Sequence, residues 1–233
     1  KKELHIPKDA LYKGKPRSRI AYLCASKRMD WEPVAWTEEM LASYERISSD
    51  GRRRKAEKLK NLPDRVRCIR AGILLAQAYA YEKNRQMIRE PAEADSLIWL
   101  PLPSVQEAER LVRECPVEAE EGNGKPFFPK ERQLHFSLSH AGAFVCCCMA
   151  DIPVGIDVEC IRQRKESVIK RCFTPEEAGR ARTSDKCFTE IWTQKEALSK
   201  LTGKGLSGIL QNHLPGEVRS FWISDTYVVS VAY

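Results

Sequence analysis

No Cys-x-x-Cys pair occurs in this chain of 233 residues, although it carries nine cysteines. That absence argues against zinc-ribbon and dithiol redox motifs, which need closely spaced thiols. No apolar run approaches the ~18–20 residues of a membrane-spanning helix. No secretory leader, tandem repeat or low-complexity tract stands out. The sequence given opens on Lys1, so what precedes it stays open. Three of the cysteines are adjacent, in Phe144-Val145-Cys146-Cys147-Cys148-Met149-Ala150. On a strand the middle thiol faces away from its two neighbours, and the segment reads as a buried strand using Cys as a small apolar residue. A reducing cytoplasm is the expected compartment.

What is present is an ordinary globular composition, 42% hydrophobic and 30% charged, with a net charge of +7. A chain of this size buries roughly 70–75% of its unfolded surface and needs no staples. Its charge favours anionic partners: nucleic acid, an anionic membrane, a polyphosphate cofactor or an acidic protein.

The pattern along the chain alternates helical and strand periods. Ser18–Ser26 reads as an early strand, and Ser49 or Asp50 caps a basic helix that begins near Arg52. Pro63-Asp64 opens a longer helix whose apolar positions run from Val66 to Tyr81 at helical spacing. The stretch from Asn84 to Gly124 is richer in Pro and acids and carries the capping pattern Ser104-Val-Gln-Glu107. Ala143–Ala150 and Val154–Cys160 read as strands, with Asp151-Ile152-Pro153 expected to close a hairpin between them. Thr174-Pro175-Glu176-Glu177 is a helix start, a further helix runs from near Thr189 to Thr202 and stops at Gly203, and Val218–Ile223 and Tyr227–Ala232 are the last strands.

Several segments could carry chemistry. In Val154-Gly155-Ile156-Asp157-Val158-Glu159, alternation puts the branched residues on one face and both acids on the other. Carboxylates two apart on a strand lie roughly 6.5–7 Å apart at Cα, close enough to converge on one hard cation. A solvated polar face is the plainer alternative. In Ile191–Leu201, Glu196 and Lys200 share a helix face with Trp192 one turn earlier, which is either a surface ion pair or a metal acid beside a phosphate-binding lysine. Gly122-Asn123-Gly124-Lys125 is a Gly-rich turn without the Walker spacing. Ser137, Ser139 and His140 end a strand and could grip phosphate, and no third partner completes a hydrolase triad. Arg52-Arg53-Arg54-Lys55 with Lys58 and Lys60 is the densest basic cluster, either a solvated helix face or a nucleic-acid patch. No aromatic stripe accompanies it, which weakens a single-strand-binding reading.

Taken in order, Gly124-Lys125-Pro126, Phe136-Ser137-Leu138-Ser139-His140, Val154–Glu159, Trp192-x-x-Lys195-Glu196-Ala197-x-x-Lys200 and Gly203-Lys204-Gly205-Leu206 resemble the 4′-phosphopantetheinyl transferase superfamily. The length matches its larger, surfactin-synthetase-activating (Sfp-type) branch. A fainter likeness runs from Arg52 through Arg67-Cys68. The resemblance implies an α+β fold of two similar α/β halves in pseudo-twofold arrangement, with coenzyme A between them. One half would span 1–121, including an inserted linking segment at about 84–121, and the other 122–233.

By that resemblance Asp157, Glu159 and Glu196 would hold Mg²⁺, and Asp157, Glu196 and Lys200 would be the catalytic set. Coenzyme A would meet Arg52, Lys55, Cys68, Lys125, Ser139, His140, Asp157, Glu196 and Lys200. The implied activity, of the holo-[acyl-carrier-protein] synthase type, moves phosphopantetheine from coenzyme A to a serine of an apo acyl or peptidyl carrier protein and releases adenosine 3′,5′-bisphosphate. Glu196 is the candidate base. The chain departs from the family pattern at Ala141, Leu138 and Cys68, and the 84–121 stretch is long, with no role for its helix. A monomer with no nucleic-acid or membrane partner is expected. A non-catalytic coenzyme A or carrier-binding module and a basic nucleic-acid binder are the rival readings.

Overall fold

The computed structural model describes residues 20–25, 36–88, 97–122, 124–210 and 214–233. Strand β1 (Ile20–Ala25) is followed by helices α1 (Glu38–Ile47), α2 (Asp50–Glu57) and the long α3 (Leu62–Ile88). Then come β2 (Leu97–Trp99), α4 (Val105–Glu114), the short ribbon β3 (Ala119–Glu120) and β4 (Pro126–Phe127), and the strands β5 (His135–Ala141), β6 (Phe144–Ala150) and β7 (Gly155–Cys160). Helices α5 (Glu166–Cys172), α6 (Pro175–Ala181), α7 (Asp185–Thr202) and α8 (Gly205–Leu210) precede β8 (Val218–Trp222) and β9 (Tyr227–Ala232). The mixture is α+β.

Caps fix most helix starts. The hydroxyls of Thr37, Ser49 and Ser104 accept the backbone N–H of Met40, Arg52 and Glu107. Thr174 and Glu177 form the reciprocal capping box expected at the start of α6. Helix α7 starts earlier than the expected Thr189, because Ser184 caps it by accepting the N–H of Cys187. It ends where expected, at Gly203 in the left-handed conformation with φ +68°.

Two sheets carry the fold, ordered β2-β1-β6-β5 and β7-β9-β8. The turn expected at Asp151–Pro153 is not a hairpin: β6 pairs with β1 and β5, whereas β7 pairs with β9. The hairpin lies one connection earlier, where Ala141 faces Phe144 across Gly142 at φ +53°. A positive φ closes a tight strand turn more readily than the Pro-containing stretch does. β5 and β6, expected with the second half, thus belong to the sheet of β1. Both sheets repeat one connectivity: a strand, a long helix, then a hairpin whose second strand inserts beside the first.

β6 sits at the centre of the packing. Cys147 and Met149 face α3, among Ala71, Leu74 and Ala78. Cys146, Cys148 and Ala150 face the other way, against Ile156, Val158, Val229 and Val231 of the second sheet. The three adjacent cysteines are fully buried and act as small apolar residues on alternate faces, and the described cysteines are free thiols. The helix α4, which had no assigned role, buries Ala108 against Leu41, Tyr44, Ile69 and Ile73 and so closes a core of α1, α2 and α3. Its place in the 84–121 stretch is structural, and residues 89–96 of that stretch lie outside the described residues.

Candidate active site

Gly155 opens β7 and decides how closely α7 can lie on it. A Cβ there would stand 2.1 Å from the Ala197 carbonyl oxygen and 2.5 Å from the Leu201 amide nitrogen. Both are backbone atoms in the middle of a helix turn, so only glycine admits this approach. Strand alternation then directs Asp157 and Glu159, on the face of Gly155, toward α7, the helix that carries Glu196 and Lys200.

The resulting contacts centre on Asp157. Its Oδ1 accepts a hydrogen bond from Lys200 Nζ at 2.7 Å and one from Ser139 Oγ at 2.9 Å. Lys200 also donates to Ser139 Oγ at 3.0 Å. The three side chains come from β5, β7 and α7 and close a triangle of hydrogen bonds. Asp157 is 5% exposed, yet its Oδ2 is buried without a hydrogen-bond partner among the described residues. An unpaired buried carboxylate oxygen is costly, and such atoms mark places where an ion or ligand belongs.

Glu159 and Glu196 border the triangle. Burial pushes the carboxyl of each above the usual range, and the Asp157 charge pushes both further. Glu159 also pairs with Arg162, whose guanidinium lies near the Trp192 ring. Among the described residues, no group of three His, Cys, Asp or Glu side chains is gathered as a formed metal cage. Mg²⁺ does not require one, because it typically takes one or two carboxylates and leaves other positions to water and phosphate oxygens. The orphaned Asp157 Oδ2, with two acids held above their ordinary range beside it, fits such an ion.

The other expected residues divide into two groups. His140 follows Ser139 near the end of β5, and desolvation with the charges of Arg67 and Lys200 lowers its imidazole below the ordinary value. Arg67 of α3, which the sequence singled out only as part of a faint match, pairs with Asp64 and donates to the Gly142 carbonyl at 3.2 Å, beside the end of β5. Lys125 donates to the Leu201 carbonyl at 2.6 Å, and burial lowers its ammonium.

Arg52, Lys55 and Cys68 form a separate cluster. Arg52 is buried and pairs with Glu118 at 2.6 Å, Lys55 pairs with Glu120 at 2.5 Å, and Cys68 Sγ lies 3.9 Å from the Arg52 carbonyl oxygen. Lys195 is also turned away from the triangle, buried against Glu177 at 2.8 Å. In the sequence Gly155 has no assigned role and Ser137 is only a candidate phosphate grip; neither structural role is read there. Gly155 carried a signal, since a glycine inside a branched strand often marks a close backbone approach.

Residues 153–224 match the family model of the 4′-phosphopantetheinyl transferase superfamily. That stretch of the chain is similar to the superfamily. Within it lie β7 with Asp157 and Glu159, and α7 with Glu196 and Lys200. The chain is similar to the 4′-phosphopantetheinyl transferase psf-1 of Bacillus pumilus, 40% identical over 92 residues, 37% of this chain and 40% of that protein. It is similar to 4′-phosphopantetheinyl transferase Sfp of Bacillus subtilis (strain 168), 36% identical over 89 residues, 36% of this chain and 40% of that one. It is also 33% identical over 115 residues to 4′-phosphopantetheinyl transferase gsp of Aneurinibacillus migulanus, covering 47% of this chain and 44% of that relative. The likeness is to the Sfp-type branch, and the matched stretch spans under half the length of each of these relatives.

Proposed function

We propose that the chain transfers the 4′-phosphopantetheine arm of coenzyme A to a serine of an apo acyl or peptidyl carrier protein, with release of adenosine 3′,5′-bisphosphate. The observation that carries this reading is the triangle of Asp157, Ser139 and Lys200, with its buried, unpaired Asp157 Oδ2, two of whose corners, Asp157 and Lys200, lie within the stretch that matches the superfamily model. The repeated connectivity of the two sheets supports a pseudo-twofold arrangement of two halves within one monomeric chain. Coenzyme A would lie along the seam where β5 and β7 meet. Arg52 and Lys55 would join the nucleotide end only by exchanging Glu118 and Glu120 for phosphate.

Asp157, Glu159 and Glu196 would hold Mg²⁺, which when bound neutralises pyrophosphate charge and polarises the phosphorus under attack. Lys200 binds the same pyrophosphate and stabilises charge that develops on the leaving group. His140 and Arg67 flank the rim and suit further phosphate oxygens. Glu196, one helical turn from Lys200, would take the proton of the carrier serine as it attacks the β-phosphorus.

Intact-mass analysis of apo carriers incubated with the chain, coenzyme A and Mg²⁺ tests this directly. A gain of one phosphopantetheine unit, lost with EDTA and with Asp157→Ala, is the expected result. No gain on acyl or peptidyl carriers, with coenzyme A still bound, would instead favour a binding module without turnover.

A further inference from the structure

β5 and β7 are each the outer strand of their sheets, and no backbone ladder joins them. An open strand edge leaves N–H groups that must find partners elsewhere. On β7 the Ile156 N–H donates to Ser137 Oγ at 3.1 Å, and the Val158 N–H donates to Ser139 Oγ at 3.2 Å. Residues two apart on one strand therefore meet residues two apart on the other, and the hydroxyls stand in for ladder rungs. Both serines are buried, at 5% and 7% exposure.

The hydrogen-bonding capacity of Ser139 can be counted. A serine hydroxyl has one hydrogen to give and two lone pairs to accept with. Ser139 gives its hydrogen to Asp157 Oδ1 at 2.9 Å and accepts from the Val158 N–H at 3.2 Å and from Lys200 Nζ at 3.0 Å. Ser137 acts one step further back, through the Ile156 amide.

We propose that Ser137 and Ser139 are positioning residues: their hydroxyls join the edges of β5 and β7 and hold Asp157 and Lys200 in register. The kinetic part of this inference rests on the transferase reading, and the structural part does not.

The test uses the full chain with Ser137→Ala, Ser137→Thr and Ser139→Ala. Amide hydrogen exchange at Ile156 and Val158, referenced to Val229 and Val231, reads the seam itself. Loss of one buried hydrogen bond should speed exchange at the matching amide by roughly tenfold. In parallel, kcat should fall about tenfold in Ser137→Ala with the KM for coenzyme A changed less than about twofold, since the interaction acts on positioning rather than on ligand binding. Ser137→Thr keeps the hydroxyl and should restore both readouts. Ser139→Ala should weaken Mn²⁺ binding about tenfold while leaving metal-free coenzyme A affinity within about threefold. Unchanged exchange in both alanine variants would overturn the proposal. So would a tenfold loss of metal-free coenzyme A affinity in Ser139→Ala with kcat retained. A wild-type chain inactive on carriers, yet showing the expected exchange and Mn²⁺ effects, would refute the transferase reading and leave the positioning role standing.

Discussion

Glycine 155 has no side chain to do chemistry, yet the acids and Lys200 depend on it. A methyl group there would press on the backbone of α7 at Ala197 and Leu201, and neither atom can swing aside as a flexible side chain would. Gly155→Ala should push α7 off β7, costing about 1–3 kcal/mol as an overpacked site does. It should also weaken Mn²⁺ binding more than the lost stability alone accounts for, because Glu196 and Lys200 travel with the helix. Gly179→Ala is the contrasting case. It sits in α6 with nothing within 4 Å of its Cβ position, so the substitution should stabilise by about 0.5–1 kcal/mol. Thermal melts of the two variants check both signs. Glu196 offers a third test. Its folded carboxyl is raised above 4.5, so the folded state holds a proton that the unfolded chain has released, and stability contributed by this group is lost as pH rises from about that value. Glu196→Gln removes the titration. The Tm difference, variant minus wild type, should grow with pH above 4.5 in metal-free buffer, and a flat difference would contradict the assigned environment.

At the scale of elements, the segment before β3 is tied to α2 by a buried ion pair. Arg52 and Glu118 side chains are both nearly covered, so removing one partner strands the other charge. Glu118→Ala should cost about 3–5 kcal/mol, measured by urea denaturation, whereas a loss below about 1 kcal/mol would show the pair to be a surface contact. This pair also shows what the sequence could not convey. The basic run beginning at Arg52 was legible as a cluster, but the partner of Arg52, Glu118, lies 66 positions further on, and nothing local announces it. The acids of β7 and α7 were legible for the opposite reason. Asp157 with Glu159, and Glu196 with Lys200, are each fixed by the period of a single element, two in a strand and four in a helix. The capping box at Thr174 and the stop at Gly203 were readable for the same local reason. The pairing of strands was not. Pro153 looked like a turn between partners, yet β6 and β7 go to different sheets, and Gly142 makes the hairpin instead. Register between distant strands is set by the cores they share, which a window of neighbouring residues does not contain.

Over the whole molecule, the net charge of +7 now has a site to act beside. Three acids sit within that site, so the excess of basic residues is carried outside it. A positive field of this kind raises the encounter rate with an anionic partner and leaves the chemistry of the bound complex unchanged. If the partner is an acidic carrier domain, the two terms of the rate respond differently to salt. Surface charges are screened over about 10 Å at 0.1 M and about 3 Å at 1 M, whereas buried groups such as Asp157 are screened far less. Raising the salt from about 0.05 M to about 0.5 M should therefore raise the KM for the carrier roughly tenfold or more, with kcat changed little. Steady-state transfer to one carrier at several salt concentrations measures both terms. A kcat that falls in parallel with carrier affinity would mean that salt reaches the Asp157–Lys200 contact itself, through the part-exposed Lys200.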